Sequence, residues 1–114
     1  MDERERRITL NQTIFRAGNE ALARNADSDA GVLPFICECA DEGCLEAIVL
    51  TREQYEEVRA NPRRFVLLPG HEARGEEPMH VVEESDRFVV LEKEEGAGRI
   101  AEEQDARGDG TEAA

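Results

Sequence analysis

Apolar positions recur at helical spacing near the start of the chain, which predicts a helix over residues 9–24. Ile8, Phe15, Gly18 and Leu22 fall on one side, with Ile14, Ala17 and Ala21 beside them, so this side is expected to face the core. Thr9 followed by Gln12 fits a capping box. The small, polar stretch 25–31 reads as a loop. The apolar spacing then shortens. Residues 35–39 and 44–50 read as two strands, and Ala40-Asp41-Glu42-Gly43 supplies turn chemistry between them, which together predicts a β-hairpin.

Thr51-Arg52-Glu53-Gln54 is the strongest local signal. It reads as a capping box, with Leu50 and Tyr55 placed as a hydrophobic staple. The helix it opens should run over 52–61, because a residue that precedes proline avoids the α region and Pro62 follows. Residues 65–68 predict a third strand that Pro69-Gly70 closes. Residues 79–83 and 87–92, each with a Val-Val pair, predict two more strands around a Glu84-Ser85-Asp86 turn. Beyond Glu94 the pattern is broken by glycines. Residues 98–103 suit one helical turn, and 104–114 offer nothing to bury, so an acidic, disordered tail is expected there. Short antiparallel connections point to an α+β domain over 1–103: a small, mostly antiparallel sheet, the N-terminal helix packed on one face, and a short second helix.

A chain of 114 residues is the size of one domain. Its hydrophobic content is 39%, below the roughly 45–50% of globular chains, so the core must be small. The formal net charge of −13 opposes contact with nucleic acid and with anionic membrane surfaces. No apolar run approaches the ~18 residues of a membrane span. The opening Met1-Asp2-Glu3-Arg4-Glu5-Arg6-Arg7 lacks the pattern of a secretory signal. A cytoplasmic location is therefore expected. Thiols stay reduced there, and clustered cysteines more often bind metal or do redox work than form disulfides.

Those considerations turn on Cys37-Glu38-Cys39-x4-Cys44 and the later Leu68-Pro69-Gly70-His71. Residues i and i+2 of a strand share a face, so Cys37 and Cys39 would present both sulfurs together, and the turn would return Cys44 beside them. His71, just past a strand end and after a rigid Pro-Gly, completes a Cys₃His set suited to one structural zinc ion. A flat strand places i and i+2 side chains roughly 6.5–7 Å apart, wider than two sulfurs on one metal, so a kink near Cys39 is needed. His80, inside a predicted strand, competes with His71 for the fourth place. Iron is the alternative ion for a thiolate-rich set. Glu38, Asp41, Glu42 and Glu46 surround the cysteines and should raise the thiol pKa values, which works against thiol reactivity.

No HExxH, no H-x-E with P-C-x-x-C, no G-x-S-x-G and no phosphate loop occurs. Arg59, Arg63 and Arg64 form a basic spot best explained as favourable charge at a helix C-terminus. Phe35-Ile36-Cys37-Glu38-Cys39, Leu50-Thr51, Glu56-Glu57-Val58-Arg59, Arg64-Phe65-Val66 and Pro69-Gly70-His71-Glu72 resemble a group of small bacterial proteins to which no activity is assigned, over about residues 19–103. The resemblance implies that the Cys-x-Cys, the third cysteine and the Pro-Gly-His act as one unit. The expected function is a non-enzymatic protein-binding or regulatory module, monomeric or a small homo-oligomer, with a protein partner. The alternatives are a redox-responsive switch in which oxidation of the cysteines releases the metal, and a metalloenzyme with an open zinc position.

Overall fold

In the computed structural model, which describes residues 3–26, 31–41, 43–74 and 79–105, the chain folds as α+β with two small sheets. Helix α1 (Glu3–Asn25) begins well before Thr9, so Thr9 lies inside the helix and the expected capping box there does not form. Its orientation also departs from the expectation. The buried side is Thr9, Gln12, Thr13, Arg16, Asn19, Glu20 and Ala23, while Ile14 is 64% exposed. The helical period is kept, but the polar stripe faces inward.

The reason lies in what α1 covers. Beneath it are backbone groups that lack other partners, and the helix satisfies them with side chains. Asn19 Nδ2 donates to Ile36 O at 2.8 Å, Gln12 Nε2 to Glu38 O at 3.0 Å, and Arg16 donates to Pro62 O and Ala101 O at 2.6 Å each. A buried carbonyl without a partner costs about 1–3 kcal/mol, so polar side chains win this face over aliphatic ones. The Arg16 guanidinium also lies 4.5 Å from the Phe65 ring centroid.

Strands β1 (Leu33–Ile36) and β2 (Ala47–Leu50) pair antiparallel, Phe35 opposite Ile48. Helix α2 (Arg52–Arg59) follows, with Thr51 accepting from Gln54 N and Gln54 closing the reciprocal bond, the capping box that the sequence announces. Strands β3 (Arg64–Leu67), β4 (Met79–Glu84) and β5 (Val89–Lys93) make a second antiparallel sheet in the order β3-β5-β4. The expected single sheet is thus two. Glu38 joins them: its backbone N donates to Val66 O at 2.9 Å, and its carboxylate accepts from Val66 N at 3.0 Å.

Helix α3 (Glu95–Glu103) is longer than the single turn the glycines suggested, and it packs against α1. The core runs through Phe35, Ile48, Leu50, Tyr55, Phe65, Val66, Leu67 and Leu91. Phe35 and Tyr55 stack with centroids 4.4 Å apart. Beneath α2 lies a buried charge cluster. Arg59 donates to Glu20 at 2.6 Å and to Asp105, and Tyr55 donates to Glu20 at 3.0 Å. Asp105 was expected in the loose tail but is held by this pair. The rest of that expected tail, 106–114, lies outside the described residues.

Candidate metal centre

Strand β1 ends at Ile36 and β2 begins at Ala47, so all three cysteines sit in the irregular connection rather than in the strands. This removes the spacing difficulty of a flat strand. Cys37 still extends the ladder, donating its N–H to Glu46 O at 2.8 Å. Beyond it the chain turns through Asp41, whose carboxylate accepts from Gly43 N at 2.9 Å and whose carbonyl accepts from Cys44 N at 3.0 Å. Leu45 then takes a left-handed conformation (φ 44°), unusual for a branched side chain. Local strain of this kind persists where the surroundings impose it.

His71 arrives from the other sheet. After β3, Leu68-Pro69-Gly70-His71 forms a turn with Leu68 O accepting from His71 N at 3.0 Å and Gly70 at φ 90°. Proline second and a positive-φ glycine third is the type II pattern. The turn delivers the imidazole to the cysteines. His71 Nδ1 lies 3.4 Å from Cys37 Sγ and 3.6 Å from Cys44 Sγ. The ligand atoms of Cys37, Cys39, Cys44 and His71 all lie within 4.8 Å of one another.

These distances suit a shared ion. A tetrahedral site with bonds of ~2.3 Å to sulfur and ~2.0 Å to nitrogen separates its sulfur and nitrogen ligands by about 3.5 Å. Cys37 and Cys39 are buried, and Cys44 and His71 are half-buried, so the cluster sits at the rim of the core. Cys37 Sγ accepts the backbone N–H of Leu68 at 3.2 Å, a contact that favours a thiolate. Without a cation, burial pushes the Cys37 thiol well above its ordinary pKa, and the neighbouring Cys39 and Cys44 add to this. A divalent ion at the centre of the four donors reverses that balance. The arrangement is therefore able to bind a metal ion through four protein groups.

Of the acidic residues expected around the cysteines, Glu42 lies outside the described residues and Glu38 acts differently from the expectation. Glu38, between the two buried cysteines, turns its carboxylate away into the interior, where Asn19 Nδ2 at 2.8 Å and Val66 N meet it. Burial pushes its pKa up to about 7, against those hydrogen bonds and the nearby Arg16 and Arg59, which pull it down. The rise at Cys37 comes from burial first and from the other two thiols, not from the Glu38 carboxylate. His80 stays apart from the cluster, its ring 2.6 Å from Glu94 on the exposed side of β4. Sequence reasoning missed Glu38 and Asn19 as supports of the site. The signal for Glu38 was its position between two inward cysteines, which sends its side chain to the opposite side.

No family model matches the sequence, and neither a curated protein nor a solved structure matches the chain. Among the described residues no helix is long and apolar enough to cross a membrane.

Proposed function

We propose that Cys37, Cys39, Cys44 and His71 hold one zinc ion, and that the chain is a cytoplasmic, non-enzymatic module that binds another protein or regulates it. The observation that carries the metal reading is the convergence of four soft or borderline donors within 4.8 Å, three from one loop and one from a turn on the other sheet. An ion there fastens the β1–β2 hairpin to the end of β3. A small core gains from such a fastening, since metal affinity becomes folding free energy. Four protein ligands leave no position for a metal-bound water, which favours a structural over a catalytic role. The net charge of −13 favours a protein partner over nucleic acid.

Cobalt substitution with chelator challenge tests the reading. Tetrahedral thiolate-to-cobalt absorption bands, and loss of the cooperative melt when excess chelator strips the ion, are the expected results. A chain that melts cooperatively at the same temperature without metal contradicts the structural role.

One observation favours a redox reading of the same cluster. Cys44 is half-buried, at the end of a turn beside Leu45, which is 63% exposed, so a peroxide can reach it. Cys44 and a second cysteine, both thiolates on the ion, would give two electrons to the peroxide and form a disulfide; the peroxide takes two protons from solvent and leaves as two waters, and the ion departs with its ligands lost. Unchanged thiol count and zinc content after peroxide treatment would remove this reading.

A further inference from the structure

The two sheets present four outer edges, and three of them are closed. On β1, Ile36 turns its N–H and C=O away from β2, and both are met by the carboxamide of Asn19 at 2.8 Å; Pro34 has no N–H to offer. On β3, Val66 turns away from β5, and Glu38 satisfies both of its backbone groups. On β4, a register shift between Val81 and Glu83 breaks the edge, and the exposed His80, Glu83 and Glu84 line it. Capping groups, bulges and charges are the devices that keep sheet edges from pairing with other chains.

The edge of β2 carries none of them. The bond from Cys37 N to Glu46 O sets the phase of the β1–β2 ladder. In an antiparallel pair the bonded and non-bonded positions alternate, so Phe35–Ile48 and Leu33–Leu50 exchange hydrogen bonds. Ala47 and Val49 therefore point their N–H and C=O groups outward, and among the described residues none meets them. Val49 is 47% exposed, and Ala47 is also exposed. Together with Ile48 they line a groove that Leu68, Pro69, Asp86 and Arg87 also line. An open strand edge beside a groove is the geometry of strand addition, in which main-chain bonds supply affinity and alternate side chains enter the groove.

We infer that the β2 edge is a docking site for an extended, cationic segment of another protein, which adds to the sheet as a strand. This rests on the reading of the chain as a protein-binding module and gives that module its surface. Charge chooses the occupant. The chain carries −13, the exposed Glu46 directly precedes β2, and the exposed Asp86 lines the groove, with Arg87 beside it as the one base there. A segment alternating apolar and basic residues places the first kind in the groove and the second over the acids. A second copy of this chain would instead bring −13 against −13.

The test uses the zinc-loaded protein and a capped peptide of about ten residues alternating valine and lysine. Three comparisons accompany it: the same peptide N-methylated at alternate residues, a valine–glutamate counterpart, and a Val49→Pro variant of the protein. Proline at 49 removes one outward donor and no ladder bond, as an edge strand tolerates. The expected result is protection of the Ala47 and Val49 amides on adding the valine–lysine peptide. Affinity should fall at least tenfold, about 1.4 kcal/mol, with Val49→Pro and with the N-methylated peptide. The valine–glutamate peptide should not bind. Binding that survives both Val49→Pro and N-methylation would mean field attraction alone and overturn the inference, as would no binding at all. A concentration-dependent dimer abolished by Val49→Pro would assign the edge to a second copy and equally overturn it. Zinc content measured in every sample keeps the two readings apart: failed docking at one zinc per chain refutes the edge and leaves the metal centre standing.

Discussion

Replacing Asn19 with alanine removes three hydrogen bonds at one buried point. Its carboxamide meets both backbone groups of Ile36 and one carboxylate oxygen of Glu38, each at 2.8 Å, and the residue is 1% exposed. The two neutral bonds are worth about 1 kcal/mol each and the one to Glu38, charge-assisted above its pKa of about 7 and so measured at about pH 8.5, about 1.5–3. Alanine recovers about 0.6 kcal/mol through its higher helix propensity. The net loss is about 3–4 kcal/mol, which for a chain of this size lowers the melting temperature by ~12–16 °C. Ile14→Ala on the same helix is the matched comparison. Ile14 is 64% exposed, so its removal should change stability by less than about 0.5 kcal/mol. Chemical denaturation of the two variants beside the native protein measures both numbers. A loss above about 1 kcal/mol for Ile14→Ala together with one below it for Asn19→Ala would mean that α1 faces the core with its apolar side, and the inward polar stripe would be refuted.

Gly98→Ala should destabilise by about 1–3 kcal/mol although alanine is the better helix former, because a Cβ there would lie 2.6 Å from the Arg63 guanidinium and 2.9 Å from the backbone oxygen of Lys93; an unchanged melt would contradict that packing. Asp105→Asn should cost about 1.5–3 kcal/mol by thermal or urea unfolding, since Arg59 is buried and then keeps Glu20 as its one charged partner among the described residues, and a neutral result would free residue 105 from the fold. Because burial holds the Cys37 thiol protonated at neutral pH, zinc uptake should release protons and its affinity should rise with pH; calorimetry in two buffers of different ionisation enthalpy checks this, and identical heats would contradict thiolate ligation.

Much of the fold was legible where the cause is local. The Thr51–Gln54 capping box opens α2 as its residues dictate, and the Pro-Gly before His71 makes the turn that its chemistry requires. The three cysteines and His71 could be grouped from spacing alone, and the chain does bring them together. Long-range causes were not legible. Nothing within α1 reveals that Ile36 and Glu38 need partners, so the stripe of Ile8, Phe15 and Leu22 was set at the middle of the buried face, whereas polar residues hold that place and Leu22 packs on the core from its margin. The join between the two sheets runs through one residue, Glu38, which reads in sequence as another surface acid. Gly98 reads as a helix breaker, yet it belongs to α3 because the end of β5 approaches too closely for a side chain.

The central claim is that one metal ion fastens the hairpin to the second sheet, and the most direct test is the metal content of native protein purified without added metal or a histidine tag, beside Cys39→Ser. The account predicts about one zinc per chain in the native protein, and loss of both the zinc and the cooperative melt in the variant. A well-folded native protein without metal, as stable as its Cys39→Ser variant, would contradict it.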